Sequence, residues 1–316
     1  MPHRLLALVL LLPAALQAQG LPGYTPINPV AASRTGLGFE PYRDAMPGRW
    51  LVGLGVDYAS TIEYNDLATG DYFLDSELLR VSFRASRDLN RRSFLLADAD
   101  VLGAYAGFLD GFLDWYHGLL GLDIPERERR PKDEFLYEVS RPPGLALDHE
   151  PSSLFIGDLR LGVGRRWTPH LQSIAAITLP TATGPDGYGR GVVSVNLFNT
   201  VRAAMNPRLT YEGSLSLGYT PRHGALERWQ RTWMVAGSSG FRMGIWGRQS
   251  LFANLFYHAP YYDGTLLPAL DRRELSLDFG WVLDRGHGSE WRVGMTEDLE
   301  PGGPAIDLVF RLGASF

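Results

Sequence analysis

The sequence predicts an all-β fold: a transmembrane antiparallel β-barrel of about twelve strands, with a short amphipathic helix in a long outer loop. Three observations predict it: an export signal at the start, a dozen stretches that alternate apolar with small or polar residues, and a C-terminus that ends on an aromatic in strict alternation.

The first twenty residues, "MPHRLLALVLLLPAALQAQG", carry Arg4, an unbroken apolar run from Leu5 to Leu12, and small residues at Ala18 and Gly20. This is the layout of a secretory signal peptide, with an apolar part too short to span a bilayer stably. Cleavage after Ala18 leaves Leu16 where a small residue is preferred, whereas cleavage after Gly20 uses Ala18 there; both stay open. The chain thus divides into a signal peptide (1–20), an N-terminal segment expected in the periplasm (21–49), and the barrel (50–316). No later run offers the ~20 consecutive apolar residues of a spanning helix.

Composition excludes several classes of function. Cysteine is absent, which removes disulfides, thiolate metal sites, cysteine nucleophiles and a lipidated N-terminal cysteine. A net charge of -5 argues against a nucleic-acid partner. Lys132 is the only lysine, so nearly all positive charge is arginine.

The strands follow in order. Trp50, Val52, Leu54, Val56 and Tyr58 share one face opposite Gly53, Gly55, Asp57 and Ala59. Leu79, Val81, Phe83 and Ala85 oppose Arg80, Ser82, Arg84 and Ser86, and Leu95, Ala97, Ala99 and Val101 oppose Asp98 and Asp100. Leu159, Leu161 and Val163 come next, then Leu171 to Leu179, then Val193, Val195 and Leu197. In "LTYEGSLSLGY", Leu209, Tyr211, Leu215, Leu217 and Tyr219 face away from Thr210, Glu212, Ser214 and Ser216. A long stretch runs from Trp229 to Trp246, another from Leu251 to His258, and the last three centre on Phe279, Val293 and Phe310.

A soluble sandwich also alternates, but it carries charge on its outer face. Here the polar face is Gly, Ser, Asn and isolated Arg, Asp or Glu, which suits the inside of a closing barrel whose apolar face meets lipid. Trp50, Trp167, Trp229, Trp233, Trp246, Trp281 and Trp291 stand near strand ends, as an interfacial girdle requires.

The connections alternate in length. With the last strand ending in the periplasm, the inner set is "SRDLNRR", "RWTPH", "NTVRAAMNPR", "WGRQ" and "DRGHGSE". The outer set holds "TATGPDGYGR", "TPRHGALER", "APYYDGTLLPALDRR", "LEPGGP" and a long excursion from Gly103 to about Gly157. Short periplasmic turns and longer outer loops are the rule for such barrels. Within the excursion, "FLYEVSRPPGLALDHE" reads as a hairpin turning at Pro142, Pro143 and Gly144, its arms too short for the ~9 to 11 residues of a spanning strand. Counting those arms as two more strands gives fourteen and preserves the parity.

The ending "IDLVFRLGASF" is apolar at every second residue back from Phe316. It resembles the terminal strand signal read by the insertion machinery of bacterial outer membranes, with Phe310, Leu312 and Phe316 as its apolar positions.

The central block "GFLDGFLDWYHGLLGLDIPERERRPKDEF" and "GDLRLGVGRRW" resembles a family of proteobacterial outer-membrane β-barrel proteins catalogued as a domain of unknown function. The matching positions are Gly107 to Phe112, His117, Gly121 and Leu122, Arg127 to Pro131, and Gly157 to Gly162. Ile124 and Pro125 stand where the family pattern has a Pro-Asn-Gly-like turn. The resemblance implies location and fold; it carries no activity and no catalytic residues.

At ~100 degrees per residue, Phe108, Leu109, Phe112, Leu113, Tyr116, Leu119 and Leu120 form one apolar face, which makes this stretch a helix of about four turns. Two placements follow: across the barrel mouth, with Phe108, Phe112, Trp115 and Tyr116 lining or gating it, or on the outer leaflet with the apolar side in lipid. Asp110, Asp114 and His117, at i, i+4 and i+7, are a weak candidate for a divalent cation against the simpler reading of a solvated polar face. Arg127, Arg129 and Arg130 lie in a mixed-charge loop that suits solvent or lipopolysaccharide phosphates.

The alternation places Arg80, Arg84, Asp98, Asp100, Arg160, Glu212, Arg242, Asp278, Arg292, Asp298, Asp307 and Arg311 in the lumen. Mixed signs in a confined space predict ion pairs that brace the wall, or rows of fixed charge along a water-filled path. No Gly-x-Ser-x-Gly elbow or His-Glu-x-x-His helix is present, and no histidine recruits a serine; Ser238 and Ser239 read as wall residues. No cofactor is called for. The expectation is a channel or uptake barrel for small solutes, with membrane lipid, lipopolysaccharide and the insertion machinery as partners. A non-conducting structural or surface-interaction barrel, and a lipid-modifying enzyme with residues scattered over outer loops, are the alternatives.

Overall fold

In the computed structural model the chain forms one closed antiparallel barrel. The structure describes residues 20–316 apart from 35, 68–69, 122–130, 142–144, 225, 287 and 301–306. The export signal, apart from Gly20, and the Arg127, Arg129, Arg130 cluster therefore lie outside the described residues.

Twelve strands make the ring: β1 (Trp50–Leu67), β2 (Gly70–Asp88), β3 (Ser93–Tyr105), β7 (Leu159–Thr168), β8 (Leu171–Leu179), β9 (Ser194–Asn206), β10 (Leu209–Tyr219), β11 (Trp233–Trp246), β12 (Gln249–His258), β13 (Glu274–Gly286), β14 (Ser289–Asp298) and β15 (Leu308–Ser315). Each pairs antiparallel with its neighbour. The first and last close the ring in the register Val56 to Leu312, and β3 passes to β7 with Ala97 opposite Leu161. The excursion between β3 and β7 contributes three short strands, β4 (Leu136–Arg141), β5 (Leu145–His149) and β6 (Ser152–Ile156). The first two are the expected hairpin, added to the edge of β2 beyond the ring. The expected turn "NTVRAAMNPR" is mostly strand, because β9 runs to Asn206 and leaves only Pro207 and Arg208 to turn.

The burial pattern is that of a soluble protein turned inside out. On β10, Leu215 is 62% exposed, whereas Thr210, Glu212 and Ser216 are buried. Trp50, Trp167, Trp233, Trp246 and Trp291 are exposed near strand ends; Trp229 instead is buried in a short 3-10 turn, Glu227–Trp229, among the long loops.

Of the segment 21–49 expected in the periplasm, the described residues up to 46, with Gly20 before them, lie inside the ring. They form a hairpin: the chain rises from Gly20, turns through the helix α1 (Pro29–Arg34) near the long-loop end, and descends to β1. Tyr24 and Phe39 join its arms, each amide donating to the other's carbonyl at 3.1 and 2.8 Å. Leu21, Ile27, Val30, Ala31, Leu37 and Phe39 are buried against Ile174, Phe198, Phe252 and Phe256 of the wall. The physical reason is the lumen itself: small inward residues leave a space that these side chains fill, out of water.

The second helix, α2 (Asp110–Leu120), is on the outside of the barrel. Leu109 and Leu113 pack on Leu308, with Tyr58, Met295 and Phe310 around them, all outward-facing on β1, β14 and β15. Phe108 stacks on Tyr58 at 5.5 Å and Phe112 meets Phe310 at 5.8 Å between ring centroids. The Glu77 carboxylate accepts the amides of Phe108, at 2.8 Å, and Leu109, so a wall residue satisfies the donors that no N-cap side chain reaches. Gly121, at φ 69°, ends the helix in the left-handed region. The placement across the mouth is thereby corrected. Phe108, Trp115 and Leu119 stay exposed, so the helix carries apolar side chains both against the wall and away from it.

Candidate functional site: the charged lumen

Parity places the charged residues, and register pairs them. Asp57 stands directly opposite Arg80 on β2 and Arg311 on β15. Arg80 reaches its carboxylate at 2.6 Å and Arg311 at 3.1 Å, and Arg311 also holds Asp278 at 2.9 Å. A second group joins Arg84 to Asp98 at 2.5 Å, Arg160 to Asp98 at 2.5 Å, and both arginines to Glu40 of the hairpin. Arg242 pairs with Glu290 at 3.0 Å and donates to the Gly20 carbonyl at 2.8 Å. Glu212 accepts the Tyr42 amide at 3.4 Å.

These arginines fasten the hairpin to the wall. Arg80 donates to the carbonyls of Thr25 and Pro26, each at 2.9 Å, and Arg311 to that of Gly23 at 3.2 Å. At the short-turn end, Arg166 bonds Asp88 at 2.7 Å and the carbonyls of Arg43 and Asp44 at 2.6 and 3.2 Å, while Arg202 holds the Asp44 carboxylate at 2.9 Å. At the long-loop end, Arg34 points from α1 to the carbonyls of Pro221, Thr220 and Arg231 at 3.0, 3.2 and 2.8 Å. Burial pulls its pKa down to about 10, which still leaves it protonated at neutral pH. Charges confined in this way are costly unless paired and hydrogen-bonded, and here the hairpin's own carbonyls supply the missing acceptors.

Beside the hairpin runs a cavity of about 660 Å³. It extends from Met46, Gly288 and Ser315 at the short-turn end to Leu102, Tyr188 and Arg190 near the long loops. Inward glycines make the room: Gly53 and Gly55 on β1 and Gly294 on β14 line it where larger side chains would fill the space. Toward the long loops, Tyr72, Leu74, Tyr137, Tyr261, Tyr262, Leu267 and Leu270 are buried in a packed cluster. Leu267 leads into the one-turn helix α3 (Pro268–Asp271), whose Ala269 amide donates to Asn65 of β1 at 2.9 Å.

Of the residues assigned to the lumen from sequence, Arg80, Arg84, Asp98, Asp100, Arg160, Asp278, Arg292 and Arg311 line the cavity. Glu212 and Arg242 face the hairpin beside Gly20. Asp307 is a correction: it sits at the rim before β15 and its carboxylate lies 3.6 Å from His117 of the external helix. Asp298 is likewise at the rim, accepting the amide of Glu300 at 2.8 Å. The cation candidates are separated rather than gathered. Asp114 pairs with Lys132, Asp110 accepts the Asp133 amide at 2.7 Å, and His117 turns to Asp307, so the three face different partners. Phe310 lies under α2, while Leu312 and Phe316 are exposed on the outer face.

Sequence reasoning missed Asp57 and Glu40, the two carboxylates on which the network centres. Asp57 was legible from parity, standing on the inward face with Gly55. Glu40 was not, because nothing in a segment rich in Gly and Pro declares that it will fold into a ring built from the residues that follow.

The family described as "Protein of unknown function (DUF3187)" matches residues 46–316. Among solved structures, the chain is similar to the COG4313 outer membrane channel from Pseudomonas putida F1, with 14% identity, 86% of this chain and 96% of that one covered, and a TM-score of 0.55. It also aligns with the Ralstonia pickettii toluene transporter TbuX at 10% identity, covering 92% and 97%, TM-score 0.44. The Pseudomonas putida toluene transporter TodX aligns at 12% identity, covering 95% and 98%, TM-score 0.43. No curated protein matches the chain. The first likeness concerns the fold; the two weaker ones add nothing to it. The chain therefore belongs to the DUF3187 family, and its fold is the closed twelve-strand β-barrel of the outer-membrane type.

Proposed function

We propose that this protein is a channel for small solutes in the outer membrane of a Gram-negative cell, with its short turns in the periplasm and its lumen gated by the N-terminal hairpin. The observation that carries the reading is the cavity of about 660 Å³ beside the hairpin, lined by charged side chains from the periplasmic rim to the base of the outer loops. Fixed charges along a wet path are what select solutes in such pores. The outward Leu and Val band meets hydrocarbon, α2 lies at the outer leaflet beside lipopolysaccharide, and the C-terminal strand is the signal for the insertion machinery.

Conduction requires the hairpin and the tyrosine-rich cluster above it to yield. The buried cluster at the long-loop end favours a second reading, a closed barrel with a structural or surface-interaction role. Planar-bilayer recording separates the two. A channel gives discrete steps from the full mature chain and larger ones after deletion of residues 21–46; a barrel silent in both forms sinks the channel.

A further inference from the structure

One row of residues crosses five neighbouring strands at a single level of the cavity wall. Arg292 on β14 pairs in register with Gly313 on β15, Gly313 with Gly55 on β1, Gly55 with Ser82 on β2, and Ser82 with Asp100 on β3. Arg292, Gly55, Ser82 and Asp100 all line the cavity. Gly55 opens the wall there and Gly313 lies beneath the Arg292 side chain: a Cβ on Gly313 would meet Arg292 Nε at 2.1 Å, and one on Gly55 would meet Ser82 Oγ at 2.5 Å. The guanidinium thus lies across Gly313, toward the middle of the row.

Unlike the arginines and carboxylates of the network around them, the side chains of Arg292, Ser82 and Asp100 engage in no hydrogen bond or ion pair with the described residues. The neighbouring charges are committed elsewhere: Arg80 and Arg311 to Asp57, Arg84 to Asp98 and Glu40, and Glu290 to Arg242. One cation and one anion therefore face the same cavity from opposite ends of this row. Four strand spacings put their backbones on the order of 19 Å apart along the wall, and the reach of Arg292 over Gly313 shortens the gap between charges.

We propose that this row is a binding site for small zwitterionic solutes, the anionic end on Arg292, the cationic end on Asp100 and the Ser82 hydroxyl between them. The proposal rests on the channel reading and names the class of solute that pauses in the lumen. A zwitterion satisfies both charges at once, whereas a simple anion or cation leaves the other without a partner in a confined lumen, which is the costlier case.

The test is calorimetric titration of the full mature chain in detergent with ε-aminocaproate, and with caproate and hexylamine, which each carry one of its two charges on the same length of chain. ε-Aminocaproate binds at least tenfold more tightly than either, and Arg292→Gln and Asp100→Asn each weaken it by about tenfold or more. The swapped double variant Arg292→Asp with Asp100→Arg regains binding, since the zwitterion simply lies the other way round. The single variants are read independently, so one that fails to fold leaves the other decisive. No heat from ε-aminocaproate, equal binding of the singly charged probes, or single variants with unchanged affinity would overturn the site. A barrel that conducts without binding loses only the site, and one that binds yet stays silent in bilayers loses only the channel.

Discussion

Arg160 of the wall and Glu40 of the lumenal hairpin form a buried ion pair, with Asp98 on the adjacent strand holding the same guanidinium at 2.5 Å. Arg84 binds both carboxylates as well, so two arginines and two carboxylates clasp hairpin to barrel.

Removing Glu40 breaks that clasp from the hairpin side only. Glu40→Ala leaves Arg84 and Arg160 sharing Asp98, an imbalance that costs on the order of 3 kcal/mol or more. The expected result is a hairpin released more often: faster protease cleavage within residues 20–46 and more frequent channel openings, with the barrel's strand content unchanged by circular dichroism. Openings at the wild-type frequency would count against a gate.

The opposite manipulation locks it. The chain has no cysteine, and a Cβ on Gly36 would stand 3.3 Å from Thr178 Oγ1. That Cβ also meets Asn196 Nδ2 at 2.8 Å, so once the Asn196 side chain shifts, Gly36→Cys with Thr178→Cys brings two thiols within reach of each other between hairpin and wall. Oxidation is expected to abolish conductance and reductant to restore it; current that ignores the redox state argues that solute passes without hairpin movement.

Gly53 offers a way to narrow the path without disturbing its walls. A Cβ there meets nothing nearer than Arg84 Cβ at 3.6 Å, so a larger side chain projects into open cavity. Gly53→Leu should fold normally and reduce single-channel conductance severalfold. An unchanged conductance would place the route elsewhere.

The external helix should affect stability and leave gating alone. Leu113, fully buried on the side of α2 that faces the wall, becomes an unpaired charge against apolar wall in Leu113→Asp, at a cost of about 3 kcal/mol. The melting temperature in detergent falls while single-channel conductance holds. Trp115, 61% exposed, is expected to lose fluorescence to brominated lipid, and its replacement by Phe removes that quenchable component.

Much of the fold was legible because its driving force is periodic. A strand with lipid on one side and lumen on the other must alternate, so Leu215 and Leu217 against Ser214 and Ser216 already name the two faces before any partner strand is known. The same parity put Arg80, Asp98, Arg160 and Arg311 in the lumen. It faltered at strand ends, where Asp307 leaves the ring and turns to His117. It was silent on α2, whose amphipathic period fits the mouth and the outer wall equally well.

The sequence by itself determined the barrel and most of its inward charges, since both follow from local alternation and turn chemistry. Only the tertiary structure decided where the N-terminal hairpin and α2 go, which carboxylates answer which arginines, and that Arg292 and Asp100 face one cavity. Those are matters of register and long-range fit: Glu40 meets Arg160 across 120 positions of chain, and no periodicity within either segment encodes the meeting.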